Sequence, residues 1–180
     1  SGKMVISPLA NPFMNVDELK LHKVNGGWHG YGERNIAVRF TMYATIIQCR
    51  DWLPDEIGGL VWFALDNVAS SVFVPIYCGV SDLPLEYKTD GRETGFSRKA
   101  AWWAFNRLGT LAAQRWGTFR HEIDKTWIPF QEHLLENQAT VEQKALQMYN
   151  AKNPKNTIKF LTNYTDEWCK KAIDTAWDLG

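Results

Sequence analysis

Gln48 and Arg50 are the residues whose type and spacing point most directly to chemistry. They continue an even-numbered series of Ile36, Val38, Phe40, Met42, Ala44 and Ile46, and in a strand side chains two apart share a face. An apolar face therefore ends in an amide and a guanidinium. An unpaired buried polar group costs about 1–3 kcal/mol, so both need partners. Internal carbonyls and carboxylates are one possible set, and a substrate is the other. Arg suits the second role because its planar fork grips a carboxylate through two parallel hydrogen bonds. Gln48 and Arg50 are accordingly the candidate substrate-binding pair.

Other reactive side chains form no recognisable catalytic set. Arg39 lies on the opposite face of the same strand, where a strand-edge ion pair accounts for it. The run from Arg50 to Pro54 reads as a turn held by a local Arg50–Asp51 contact, and Asp66-Asn67 has the side chains of a turn former. The three cysteines, Cys49, Cys78 and Cys169, make no CxxC pair. They sit in apolar patterns, where a thiol acts as a small hydrophobe, and no His or Lys lies near Cys49 or Cys78 in sequence to activate it. The four histidines, His22, His29, His121 and His133, lack any metal-ligand spacing. No structural metal and no cofactor are expected. Neither a GxSxG nor a Walker A loop occurs, and the glycine-rich stretch from Asn25 to Glu33 reads as a surface loop or the rim of a site. No residue of this chain is thus assigned as catalytic.

The elements that must position these residues fall in two halves. Residues 1–35 are punctuated by Pro8, Pro12, Gly26, Gly27, Gly30 and Gly32 and read as irregular. Antiparallel strands are expected across 36–80, at Ile36–Arg50, Leu60–Leu65 and Val72–Cys78, with short connections at Gly58-Gly59 and Asp66-Asn67. The first looks buried on both faces. Across 97–180 the period changes to that of helices. One helix is capped by Ser97 and interrupted near Gly117-Thr118. A second stripe runs from Phe119 to Met148, which Pro129 should kink or end near Ile128. After a break at Asn153-Pro154 comes a last helix carrying Phe160, Leu161, Tyr164 and Trp168. Strands first and helices last make the fold class α+β, in a single domain over 1–180.

Composition narrows the function classes. Lys plus Arg and Asp plus Glu number 20 each, a formal net charge of zero, so the basic excess of a nucleic-acid binder is missing. No apolar run approaches the roughly 18 residues of a membrane span. Nine tryptophans are many for 180 residues. Packing explains most of them, and a peptide or sugar platform is the rival use. The Ser-Gly-Lys-Met opening suggests a piece of a longer protein, and the single sequon, Asn163-Tyr164-Thr165, is weak evidence for secretion.

The run from Ile46 to Asn67, followed by Ser71–Tyr77, Leu83-Pro84, Ser97 and Ala101–Phe105, resembles the bacterial cysteine dipeptidases of the dipeptidase A family. These are N-terminal-nucleophile hydrolases. The resemblance implies a hydrolase of short peptides, built on stacked β-sheets flanked by helices. Its nucleophile is a cysteine exposed at the mature N-terminus, whose own α-amino group serves as general base. That nucleophile-bearing half has no counterpart here. Ser1, formally an N-terminal hydroxyl, opens no strand. The expectation is a C-terminal portion, inactive alone, with the missing half and a short peptide as partners and self-association through its uncovered sheet. Alternatives are a non-catalytic Trp-rich binding domain or another amide hydrolase of the superfamily, such as a penicillin or bile-salt amidase.

Overall fold

The computed structural model describes residues 41–93 and 95–180, together with Ala37. Strand β1 is Tyr43–Cys49, helix α1 is Asp55–Gly58, β2 is Gly59–Leu65 and β3 is Val74–Tyr77. Helix α2 follows at Leu85–Lys88, then the long helices α3 at Ala101–Gln114, α4 at Trp116–Asn150 and α5 at Pro154–Leu179. The three strands form an antiparallel sheet in the order β1-β2-β3, and the fold class is α+β as the change of period implies.

Register fixes the two faces of the sheet. Gln48 lies opposite Leu60, which lies opposite Tyr77; Ile46 lies opposite Trp62 and Pro75. These rows face the helices, where Leu60, Trp62 and Tyr77 are buried with Leu134, Val141, Ala145 and Leu161. The alternate row Ile47–Val61–Ile76 points the other way, whereas Val74, opposite Phe63 at the far end of the sheet, is fully buried. A second cluster joins Val72 and Val74 to Phe105 and Leu108 of α3, Ile123 and Trp127 of α4, and Cys169 and Ile173 of α5.

Several expectations change on contact with the structure. Strand β1 is not buried on both faces: Tyr43 is 60%, Ile46 53% and Ile47 67% exposed. Its apolar alternation reports what the strand can bury, and the described residues cover little of it. Residues 36 and 38–40, the start of the expected strand with Arg39, lie outside the described residues, as does the irregular stretch 1–35 with its loop from Asn25 to Glu33. Ser97 does not cap α3, because the helix starts at Ala101 after Ala100. Instead, Ser97 accepts from the backbone N–H of Lys99 and Ala100 at 3.2 Å each and closes the turn before it.

The break between α3 and α4 is at Arg115, with φ −147° and ψ 56°, so Gly117 falls inside α4. Pro129 does not end α4, which runs through it to Asn150. A proline removes one helical hydrogen bond, and the buried Ile123, Trp127 and Leu134 on either side hold the helix in place. The break before α5 has a clear local cause. Lys152 takes φ 56°, the Asn153 side chain accepts from the N–H of Asn156 at 3.3 Å, and Pro154 opens the helix. Of the tryptophans, Trp62, Trp116 and Trp127 are buried and Trp52 is exposed, so packing is the commoner use.

Candidate functional site

Arg50 and Gln48 meet at one end of the sheet, under α4. Arg50 Nε donates to the carbonyl of Gly58 at 3.1 Å and a terminal nitrogen to that of Ile57 at 2.9 Å. The other terminal nitrogen pairs with Glu142 of α4. Close approach requires glycine at 58, where a Cβ would lie 2.5 Å from the carbonyl oxygen of Arg50. Gln48 Oε1 accepts from Gln138 at 2.9 Å and from the Trp62 indole at 3.3 Å. Gln138 also donates to Glu142 at 2.8 Å, and the Tyr77 hydroxyl donates to it at 3.4 Å. Burial, reinforced by the negative Glu142, pushes the Tyr77 phenol well above its usual range. The expected pair is therefore brought together, and each member has partners within the protein. The Arg50–Asp51 contact drawn from sequence is replaced by carbonyls and a carboxylate from α4.

At the opposite end of β2, roughly 25 Å away along the strand, sits a second buried polar group. Asp66, Asn67 and Ser70 are 4%, 2% and 1% exposed. The turn is the one that Asp66-Asn67 announces: Asn67 Oδ1 accepts from the N–H of Ala69 at 2.9 Å, and its carbonyl from that of Ser70 at 3.0 Å. What the sequence leaves hidden is how firmly the helices hold it. Asn106 of α3 donates to Asp66 at 3.0 Å, the Trp127 indole donates to the Ser70 carbonyl at 3.0 Å, and Gln131 accepts from the N–H of Phe73 at 2.9 Å.

Asp66 has φ 60°, a left-handed conformation that few non-glycine residues adopt, though Asp and Asn adopt it most readily. Burial raises its carboxyl above the ordinary range, partly offset by the Asn106 hydrogen bond. Ser71 Oγ is buried without a hydrogen-bond partner among the described residues. The turn is thus a second buried polar group of the fold, held to α3 and α4 by Asn106 and Trp127.

The thiols divide by exposure. Cys169 is buried against Tyr87, and desolvation pushes it up to about 12, so it is the small hydrophobe that its apolar pattern implies. Cys49 and Cys78 are exposed, contrary to the same expectation, because both lie on the sheet face turned away from the helices. Among the described residues no three His, Cys, Asp or Glu side chains group as a metal site, and no helix is long and apolar enough to cross a membrane. A shallow open pocket lies between α2 and the end of α5, lined by Glu86, Arg98, Ile173, Asp174, Trp177 and Asp178.

With this geometry in hand, comparison with protein families decides the assignment. The model of Peptidase family C69 matches residues 17–128, more than half of the 180. The chain belongs to Peptidase family C69. This is the dipeptidase A family that the run from Ile46 to Phe105 resembles, and membership makes the protein one of a family of peptide hydrolases. Comparison with curated proteins gives no match. The C69 match takes in β1, β2, β3, α3 and the buried Asp66 turn. It stops at Ile128, one residue before Pro129, so Gln138 and Glu142, which hold Gln48 and Arg50, lie beyond it.

Proposed function

We propose that the chain is the C-terminal portion of a cysteine-type dipeptidase, acting on short peptides through an N-terminal cysteine that lies outside it. The family match over 17–128 carries this reading. Two structural features support it. The exposed side chains of Tyr43, Thr45 and Ile47 leave one sheet face open, as a fold of stacked sheets needs before its second sheet is in place. The described thiols also make poor nucleophiles, since Cys169 is sealed under Tyr87 and no basic side chain pairs with Cys49 or Cys78 among the described residues.

In this mechanism the α-amino group of the N-terminal cysteine takes its thiol proton, and the thiolate adds to the peptide carbonyl. The amine's ordinary pKa, about 8, suits proton transfer near neutral pH. The ammonium then returns the proton to the departing amine, and water hydrolyses the thioester. The described residues act as framework.

Contact of Gln48 and Arg50 with substrate is proposed on the strength of strand alternation. Their internal partners favour the other role, fixing the Arg50–Gly59 turn against α4. Kinetics of Arg50→Lys in the longer parent protein separate the two. A gripping residue raises KM more than it lowers kcat, whereas a framework residue lowers the melting temperature and leaves both unchanged. The dipeptidase reading itself is tested in that parent. Replacing its N-terminal cysteine by Ala should abolish dipeptide turnover, while Cys49→Ala and Cys78→Ala should leave it intact; the reverse pattern would overturn it.

A further inference from the structure

We infer that this chain associates head to tail with further copies of itself, the basic tip of the α4–α5 hairpin in one copy seating on the acidic end of α5 in the next. Between Glu142 and Asp166 the only charged residues are Lys144, Lys152, Lys155 and Lys159, and all four are exposed. They lie past Ile128, where the family match ends, so family membership does not account for them. At the other end of α5, Asp174 and Asp178 line the shallow pocket with Glu86 and the single cation Arg98. Arg98 lies 4.6 Å from the centre of the Trp177 ring; Arg107 lies 5.8 Å from it and donates to the Trp177 carbonyl at 3.4 Å. Both guanidinium groups are thus engaged at Trp177, and the exposed carboxylates of Asp174 and Asp178 remain open.

These charges do not serve the helix that carries them. The middle of α5 is self-satisfied, with Lys170 paired to Asp166 at 2.8 Å and Lys171 to Glu167 at 2.5 Å. Neither the four lysines of the tip nor Asp174 and Asp178 form an ion pair among the described residues. A helix is positive at its N-terminus and negative at its C-terminus, so Lys155 in the first turn and Asp178 in the last lie against that dipole. The two ends cannot neutralise each other within one chain. At about 1.5 Å per residue, Lys159 and Asp174 are about 22 Å apart along α5, against a screening length of about 8 Å in physiological salt. A second copy satisfies both ends. Lys155 and Lys159 are one turn apart on one face, and Asp174 and Asp178 are spaced likewise, so the two pairs match in pitch. The formal net charge of zero sets no overall repulsion between copies. The contact is heterologous, leaving each pair of copies with one free tip and one free acidic end, so association continues beyond two.

The test is sedimentation velocity on the 180-residue chain and on two charge-reversed variants, Lys155→Glu with Lys159→Glu and Asp174→Lys with Asp178→Lys. Each reversal brings the helix end into line with its dipole, so both variants should fold, with melting temperatures no lower than that of the unmodified chain. The unmodified chain should associate at low salt and dissociate near 1 M salt, where the screening length is about 3 Å. Each variant alone should associate about tenfold or more weakly, because two attractive pairs become repulsive. An equimolar mixture of the two variants should restore association, since the acidic tip of one then meets the basic end of the other. A monomeric unmodified chain would overturn the inference. So would association indifferent to salt and to both reversals, the mark of contact through the apolar sheet face, or a mixture no better than its components.

Discussion

Arg50 and Glu142 show what a single residue contributes here. Their side chains are only 11% and 13% exposed, so each charge depends on the other. Removing one member of a buried pair leaves the other uncompensated, at about 3–5 kcal/mol. Glu142→Ala should therefore destabilise by about that much in urea unfolding; a loss under about 1 kcal/mol, typical of surface pairs, would show the pair to be dispensable. Asp66 makes a prediction of opposite sign. Its carboxyl titrates higher folded than unfolded, so the folded state holds the extra proton and stability falls as pH rises from about 3.9 through the raised value. Asp66→Asn keeps the left-handed backbone and the Asn106 contact but cannot ionise. The variant should lose less stability than the unmodified chain between pH 4 and 7, measured as urea midpoints at each pH. Parallel pH profiles would contradict the role given to burial.

Elements show where sequence reasoning succeeds. The antiparallel strands, the turn at Asp66-Asn67 and the break at Asn153-Pro154 rest on local chemistry and were legible. Glu142 as the partner of Arg50 was not, because the pair joins a strand to a helix 92 residues away. The exposure of Cys49 and Ile47 was hidden for a related reason: alternation separates the two faces without saying which is covered. Pro129 misled because buried neighbours in α4 outweigh one lost hydrogen bond. Pro129→Ala should thus raise stability, by up to the roughly 3 kcal/mol that an interior helical proline costs; no gain in melting temperature would mean that α4 has adapted fully to it.

Gly109 tests the contact between elements. A helical Gly→Ala change ordinarily gains about 1 kcal/mol, but at 109 the new methyl would lie 2.8 Å from Asp66 Oδ2 and 3.0 Å from Ser70 Oγ. Both oxygens belong to a turn held by Asn106 and Trp127. Gly109→Ala should lower the melting temperature by several degrees, and a rise would show the turn to be freer than its hydrogen bonds imply.

At the scale of the whole molecule, the open sheet face and the proposed external nucleophile belong to one account. An uncovered face bearing Tyr43 and Ile47, beside a strand β1 without charge, favours association. The account's central claim, that the nucleophile and its base lie elsewhere, is tested most directly by incubating the purified 180-residue chain with a panel of dipeptides and measuring released amino acids. The account predicts no turnover above the uncatalysed rate. Robust hydrolysis that disappears in Ser1→Ala or Cys49→Ala would contradict it, by placing the nucleophile within this chain.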